Sequence, residues 1–422
     1  MSKGVTMNAS SYLQTMFAKS RFSAVCVPYF VALPFLIIPS SAHAFESIGI
    51  SDTSSFSASG FGTLGLARAS NDNAQYIRDV TQPNGVGKNW SGLIDSLVGL
   101  QANYRYNEPT VAIIQAVSHY RYDGSFSPEL TRALIRYEWT PRVTLRVGRI
   151  GTEFLMQSDS RMVGYSYLTV RPNPDFFGGV PINYADGIDI GYHMPFTGGN
   201  LEGSVFSGLA REDVNLYPLH NSHVKKVTLG FSKSDWQMRY LYGQVKLANN
   251  LDVLNTLETT LVAYGATGSA GAFDLAGCVD QYNSLGAMYD NGVTQVQAGY
   301  SIVTHQNVVY ENAKSWFVLI GVRQEKVTPF AGYSSVKSSP KNFDSGNPIL
   351  NSLIQPALTG SHQEGHTLTL GARWDVAHDI DIKSQVDFIR GGSAASILLY
   401  DNVKPGWDGR MTVYSLAMDF VF

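Results

Sequence analysis

Residues 130–149 read LTRALIRYEWTPRVTLRVGR, and this stretch decides the fold class. Apolar or aromatic residues occupy every second position of its first half: Ala133, Ile135, Tyr137 and Trp139. Charged residues stand between them, with Leu134 as the one exception: Arg132, Arg136 and Glu138. Successive side chains of a strand point to opposite faces, so this run has one apolar face and one charged face.

The second half of the stretch repeats the alternation after a tight turn at residues 140–142. Val143, Leu145 and Val147 alternate there with more polar or smaller residues. After Arg149 the alternation stops, and it resumes only at Asp186. The pattern predicts a hairpin of a membrane-spanning barrel, followed by an insertion long enough to fold into the mouth of that barrel.

Similar alternating runs recur from one end of the chain to the other, and sixteen strands are predicted. Several are joined by strong turn signals, such as Asp290-Asn291-Gly292. The predicted strands are 56–67, 95–106, 110–122, 130–140, 143–149, 187–196, 201–210, 224–232, 236–247, 281–289, 293–304, 315–323, 327–336, 367–376, 380–390 and 411–422.

The connections between these runs alternate between tight turns and longer loops. The long ones are 68–94, 150–185, 211–223, 248–280, 305–314, 337–366 and 391–410. Long loops on one side and tight turns on the other are typical of outer-membrane barrels, and an even strand number places both termini in the periplasm. A helical spacing of leucines predicts a short helix in the loop 248–280: Leu254, Leu257 and Leu261.

Composition alone leaves a membrane barrel and a soluble sandwich open. The chain has 422 residues, a formal charge of −3 and 44% hydrophobic residues, with a mean hydropathy of −0.06. Beyond the N-terminus, no uncharged apolar run approaches the ~18 residues that a spanning helix needs. The near-neutral hydropathy therefore argues against a helical membrane protein, whereas a barrel hides half of its strand residues from lipid and keeps a neutral hydropathy.

The N-terminus predicts export. Lys19 and Arg21 precede an apolar run over residues 22–38, and Ala42-His43-Ala44 supplies the small residues that a signal peptidase recognises. We expect residues 1–44 to be a cleaved signal peptide and residues 45–422 to form the barrel. Met1, Met7 and Met16 remain alternative starts, and a retained membrane anchor is the alternative to cleavage.

Cleavage changes both the charge and the cysteine content. The leader carries three basic residues and no acidic ones, so its removal takes the formal charge from −3 to −6. Cys278 is then the one remaining cysteine, and an intramolecular disulfide is excluded. A fully hydrogen-bonded barrel would close the fold without one.

Aromatic residues crowd beside the predicted tight turns. They are Tyr104, Tyr106, Tyr137, Trp139, Trp236, Trp374 and, by topology, Phe422. Such residues form girdles at the membrane interfaces of barrels, although strands favour aromatic residues in general. Their concentration at one end favours the girdle.

Three local patterns suggest other chemistry. Residues 60–65 match the dinucleotide fingerprint, but no strand precedes them in the mature chain and no helix pattern follows. His220 and Ser222 lack a nucleophile elbow, and the pattern His362, Glu364, His366 lacks the helical zinc spacing. We therefore predict no enzyme activity, no cofactor, no metal and no nucleic-acid partner, and keep a barrel enzyme or adhesin as the alternative from another class.

Two features resemble Gram-negative general porins. One is the strand end Val147-Gly148-Arg149, which a long third loop follows, and the other is the closing sequence YSLAMDFVF at residues 414–422. The resemblance implies an all-β, antiparallel up-and-down transmembrane barrel of about sixteen strands, with the third loop folded into the lumen. It further implies a homotrimer in the lipid of the bacterial outer membrane, passive diffusion of small hydrophilic solutes and ions, and a terminal Phe422 that the barrel insertion machinery reads.

In porins, basic wall residues face acids of the third loop. The predicted inward-facing basic residues here are Arg105, Arg121, Arg132, Arg136, Arg146, Lys226, Arg239 and Arg373. The predicted acidic residues of the third loop are Glu153, Asp159 and Asp175. Opposed charges across a water-filled gap create a transverse field that orients dipolar solutes. A substrate-selective channel remains the alternative within this class, and the ion preference stays open.

Overall fold

The structure is a computed structural model. It describes residues 48–49, 54–158, 160–212, 219–266, 271–391 and 399–422. The predicted signal peptide and its cleavage site, as well as Asp159, lie outside the described residues.

Sixteen antiparallel strands form one closed barrel, which confirms the predicted fold class. Each strand pairs with its neighbours in sequence, and the last strand pairs with the first. The strands are β1 (Ser55–Ala69), β2 (Leu97–Asn107), β3 (Thr110–His119), β4 (Glu129–Thr140), β5 (Val143–Gly151), β6 (Tyr184–Phe196), β7 (Gly199–Ala210), β8 (Ser222–Lys233), β9 (Trp236–Lys246), β10 (Val279–Asp290), β11 (Thr294–His305), β12 (Asn312–Val322), β13 (Val327–Ser339), β14 (Glu364–Ala377), β15 (Ile380–Gly391) and β16 (Arg410–Val421).

Short elements lie in the connections. The helices are α1 (Pro174–Phe177), α2 (Asp252–Ala263) and α3 (Pro348–Thr359), with a 3-10 turn at Gly164–Ser166. Two-residue strands lie at Ile48–Gly49, which pairs with β1, and at Gln75–Tyr76, which pairs with Tyr400–Asp401. No described helix is both long and apolar enough to cross a membrane.

The helix α2 confirms the prediction of a short helix in the loop 248–280. Leu254, Leu257 and Leu261 are all buried on its inner side. Their three- and four-residue spacing places them on one face of the helix, which packs into the main apolar cluster of the protein.

The barrel closes between β16 and β1. The pairing runs from Val413 opposite Ala69 to Val421 opposite Phe61. Beyond the last strand residue, the Phe422 amide donates to the Gly60 carbonyl at 2.9 Å, and the Gly60 amide donates to the Phe422 carbonyl at 2.7 Å. The Phe422 ring covers Gly60 so closely that a Cβ there would lie 2.3 Å from the ring. Glycine is thus required at the seam.

The two faces of the wall differ in polarity, and β15 shows this most clearly. Ile380 and Ile382 are exposed on the outer face, whereas Asp381 and Lys383 are fully buried on the inner face. The same alternation appears on β4. Ile135 is 55% exposed on the outer face, whereas Arg136 lies on the inner face, directly opposite Arg146 of β5. The outward apolar side chains form the surface that a transmembrane barrel presents to hydrocarbon.

One predicted strand is too long. β3 ends at His119 instead of residue 122 because the chain turns there: the Arg121 amide donates to the Ser125 carbonyl at 3.0 Å, and Gly124 has a φ of +76°. Tyr120 packs against Phe126 across this turn. Arg121 consequently lies in a loop and does not line the strand wall.

The outer face yields a direct test. Ile135→Arg places a charge on the hydrocarbon face near mid-strand, which costs ~2–4 kcal/mol in barrels of this kind. We expect a lower unfolding midpoint and reduced heat-modifiability on gels for this variant. Arg132→Ala, on the inner face of the same strand, serves as the control and should keep the folded band; equal destabilisation by both variants would contradict the assignment of the two faces.

Candidate functional site

The third connection on the loop side of the barrel, residues 152–183 (here called L3), contacts the inward-facing side chains of the distant wall. The Phe154 ring lies 4.8 Å from the Tyr282 ring on β10. The Gly164 carbonyl accepts a hydrogen bond from Lys383 on β15 at 2.7 Å. Asn173 donates to Ser334 on β13 at 2.9 Å. L3 leaves the barrel wall at β5 and thus crosses to the strands of the opposite side.

Arg171 is the central anchor of L3. Its side chain is only 1% exposed, and its guanidinium donates to Asp95 at 2.8 and 2.6 Å, to Asp387 at 3.2 Å and to Ser415 at 2.6 Å. Burial by itself lowers the pKa of Arg171, but the adjacent carboxylates, Asp95 foremost, hold it above its ordinary value. One buried cation therefore joins L3, the first long loop, β15 and β16.

A second anchor lies nearer the tight-turn end. Lys383 pairs with Asp419 at 2.8 Å, and Thr63 on β1 also donates to Asp419. Arg373 pairs with Asp381 at 3.1 Å, and the same guanidinium donates to the Tyr165 carbonyl of L3 at 2.7 Å. The strand charges are thus mutually neutralised, and they hold L3 through its backbone.

Two of the predicted L3 acids are described. Glu153 contacts Arg239 on β9, so the structure joins one predicted acid to one predicted wall cation. Asp175 lies against β13, where Ser334 donates to it at 2.7 Å. Burial raises the pKa of Asp175, although the hydroxyls of Ser334 and Thr367 stabilise its charged form. Asp175 therefore serves the attachment of L3 and does not face the basic wall.

Most of the predicted basic residues lie on one side of the barrel, on strands β4, β5, β8 and β9. They are Arg132, Arg136, Arg146, Lys226 and Arg239. Arg146 pairs with Asp189 at 2.9 Å, and Arg136 with Glu138 at 2.5 Å. We call these five residues the basic wall.

The other three predicted residues lie elsewhere. Arg105 lies at the tight-turn end of β2 and donates to the Glu108 carbonyl. Arg121 lies in the loop after β3, where it is 3.8 Å from Glu129. Arg373 lies on β14, opposite the basic wall, and binds L3.

The sequence did not lead us to the polar inner-face residues of β15 that lie against L3. Asp381, Lys383, Gln385 and Asp387 stand at every second position of the segment IDIKSQVDF, residues 380–388. This period-two polar run marks the inner face of β15 as unusually charged. The same reading could not show that Arg171, more than 200 positions earlier, would be its partner.

The patterns suggestive of other chemistry are used structurally. Ser222 is fully buried, and its hydroxyl accepts from the Ala248 amide at 3.1 Å. His362 pairs with Glu311 at 2.8 Å, while His366 stacks on Tyr333. Across the residues that the structure describes, no group of three or more His, Cys, Asp or Glu side chains could hold a metal ion.

Taken together, the closed wall, its apolar exterior and its charged interior define a transmembrane β-barrel protein. No known family model matches the chain, and no curated protein sequence is significantly similar to it.

Solved structures share the fold. The Salmonella typhi OmpF complex with daunomycin has a TM-score of 0.54 at 11% identity, over 89% of this chain and 100% of that one. OmpT of Vibrio cholerae has a TM-score of 0.51 at 14% identity, over 89% and 100%. The outer membrane channel DcaP of Acinetobacter baumannii has a TM-score of 0.51 at 13% identity, over 88% and 98%. At these identities, the likeness concerns the barrel fold alone.

Because Arg171 anchors L3, its substitution should strongly destabilise the loop. Arg171→Met leaves Asp95 and Asp387 buried without their cation, which typically costs about 3–5 kcal/mol. We expect faster amide hydrogen exchange in residues 160–180, while the strands remain protected.

A compensated variant separates charge from packing. In Arg171→Met combined with Asp95→Asn and Asp387→Asn, no buried charge is left unpaired, and much of the protection of L3 should return. If the single variant leaves hydrogen exchange in L3 unchanged, Arg171 does not anchor the loop.

Proposed function

We propose that the protein is a channel of the bacterial outer membrane through which small hydrophilic solutes and ions diffuse passively. The observation that carries the proposal is the unequal exposure of inward-facing charges. The side chains of Arg136 and Arg146 are 40% and 34% exposed, whereas those of Asp381, Lys383 and Asp419 are fully buried. Water therefore reaches Arg136 and Arg146 of the basic wall, and L3 covers the opposite wall.

This contrast supports a pore that runs between the basic wall and L3. Glu153 at the start of L3 contacts Arg239, and Asp189 pairs with Arg146, so acids and bases face the same space. Further along the wall, His193 and Glu202 are 3.8 Å apart and exposed. A polar, charged lining lowers the cost of a hydrated ion in the lumen, and L3 would set the narrowest cross-section. The proposal needs no enzymatic step.

Export, assembly and location complete the proposal. We infer cleavage after Ala44, both termini in the periplasm, a homotrimer, and recognition of Phe422 by the barrel insertion machinery. The resemblance of residues 414–422 to the porin terminus supports the last two. The apolar outer band supports a membrane location. Native mass spectrometry in detergent tests the trimer, which should appear at three times the mass of the mature chain.

A substrate-selective channel is the second candidate, and one feature favours it. Helices α2 and α3 pack on L3 through one buried apolar cluster that contains Phe154, Leu254 and Ile354. L3 and the loops that carry α2 and α3 thus form a single packed body on the loop side of the barrel. A solute would pass this body before it reached the basic wall, which provides a surface for discrimination.

Planar-bilayer recordings test the channel. The wild-type protein should give stepwise single-channel currents in KCl. Arg136→Gln with Arg146→Gln removes two exposed positive charges from the lumen, so the permeability ratio of K⁺ to Cl⁻ should rise roughly twofold or more. The reversal potential in a salt gradient measures this ratio. Currents that drop on addition of one particular sugar or peptide would favour the selective candidate.

The control is a charge-matched variant at the tight-turn rim, Arg142→Gln with Lys233→Gln. It should leave the selectivity unchanged. A folded wild-type protein without conductance contradicts the proposed channel, and a double variant at the basic wall with wild-type selectivity contradicts the proposed position of the pore.

A further inference from the structure

Three cationic or titratable side chains lie in one row on the outer face of β14, β15 and β16. His366 is directly opposite Arg390, and Arg390 is directly opposite Arg410. They share the outward orientation of Leu368 and Phe388, which are exposed on the same strands. The row lies at the long-loop end of the barrel, above the apolar band.

The positive charges of this row repel one another unless an anion lies between them. Like charges directly opposite each other on neighbouring strands destabilise a sheet. Arg410 is 3.8 Å from Asp408, but both side chains are mostly exposed. Within the described part of the chain, Arg390 has no acidic partner. The arrangement therefore leaves a net positive charge at the edge of the hydrocarbon region.

An apolar groove begins four residues below this row, at Leu370, Val386 and Tyr414 of the same strands. It has a volume of about 590 Å³ and lies on the outer face of the same strands. Leu370 and Val386 line its upper part, level with Tyr414, and Leu416 and Ser384 line its lower part, where the small Ser384 side chain leaves space.

Arg68 forms the upper edge of the groove. It lies 5.7 Å from the centre of the Trp90 ring and 5.9 Å from that of the Tyr414 ring. Its Nε is buried and has no hydrogen-bond partner. On β16, Arg410 is four residues above Tyr414, which corresponds to about 13 Å of strand. Two arginine side chains can span that distance toward a common ligand.

We propose that this outer surface is a binding site for an anionic, phosphate-bearing membrane lipid. The phosphate contacts Arg390, Arg410 and Arg68, and one acyl chain lies in the groove beside Ser384. Guanidinium groups match phosphate oxygens in geometry, and basic side chains at a membrane surface each add about 1 kcal/mol to the binding of anionic lipid. The site lies outside the lumen, so it goes beyond the proposed channel and does not depend on it.

Native mass spectrometry of the detergent-solubilised full chain tests the site. Three probes are added separately: dipalmitoyl phosphatidic acid, dipalmitoylglycerol and inorganic phosphate. We expect retention of the phosphatidic acid alone. The triple variant Arg68→Gln, Arg390→Gln and Arg410→Gln should weaken its binding on the order of a hundredfold.

Two further variants separate charge from fold and from the groove. Arg142→Gln, Lys233→Gln and Lys326→Gln change the charge equally at the tight-turn rim and should bind like the wild type. Ser384→Trp fills the groove and keeps the cations, so it should also weaken binding. All variants must retain heat-modifiable migration on gels, which shows that the barrel is folded.

Four outcomes overturn the proposal. Equal retention of dipalmitoylglycerol means a general apolar surface, and competition by inorganic phosphate alone means a free-anion site. A change of oligomeric mass in the triple variant means that a second copy of the chain covers this face. Wild-type affinity in both the triple variant and Ser384→Trp means that the lipid does not bind at this surface.

Discussion

A backbone in hydrocarbon has no water to satisfy its amides and carbonyls, so every strand must be paired on both edges. For sixteen strands, this condition is met only when the last strand finds the first. In this chain, β16 and β1 meet in continuous register, and the hydrogen bonds between Phe422 and Gly60 extend the seam to the last residue. Gly60 and Gly62 have no side chain because the rings of Phe422 and Phe420 lie over them. The glycine-rich start of the barrel thus reflects closure.

Closure divides the side chains between two solvents, and this division made the fold predictable. Residues two apart share a face, so Ile135 and Arg136 already indicate opposite surroundings from their order alone. The strand number, the sorting of long and short connections and the leucine face of α2 follow from such local periodicity. The end of β3 does not, because the turn at residues 120–125 depends on the packing of Tyr120 against Phe126.

The site was predicted only in part, for a physical reason. Alternation assigns a charge to the inner face, but it does not name the partner. Arg171 meets Asp95, 76 positions away, and Asp387, 216 positions away. The sequence of L3 shows no regular alternation of polar and apolar residues. The course of L3 depends instead on contacts with buried charges that lie far away in the sequence. Glu153 of L3 contacts Arg239 of the basic wall. On the far wall the polarity is reversed: L3 supplies the cation Arg171, and the acids are Asp387 on β15 and Asp95 of the first long loop.

These observations describe one molecule in which the same β-strand contacts hydrocarbon on one side and charge or water on the other. Spin labels at single cysteines at positions 135, 136, 137 and 138, in a Cys278→Ser background reconstituted in lipid, measure this most directly. The account predicts high collision rates with oxygen at 135 and 137, and with a water-soluble nickel chelate at 136 and 138. Equal accessibility of all four positions to the nickel chelate would contradict it.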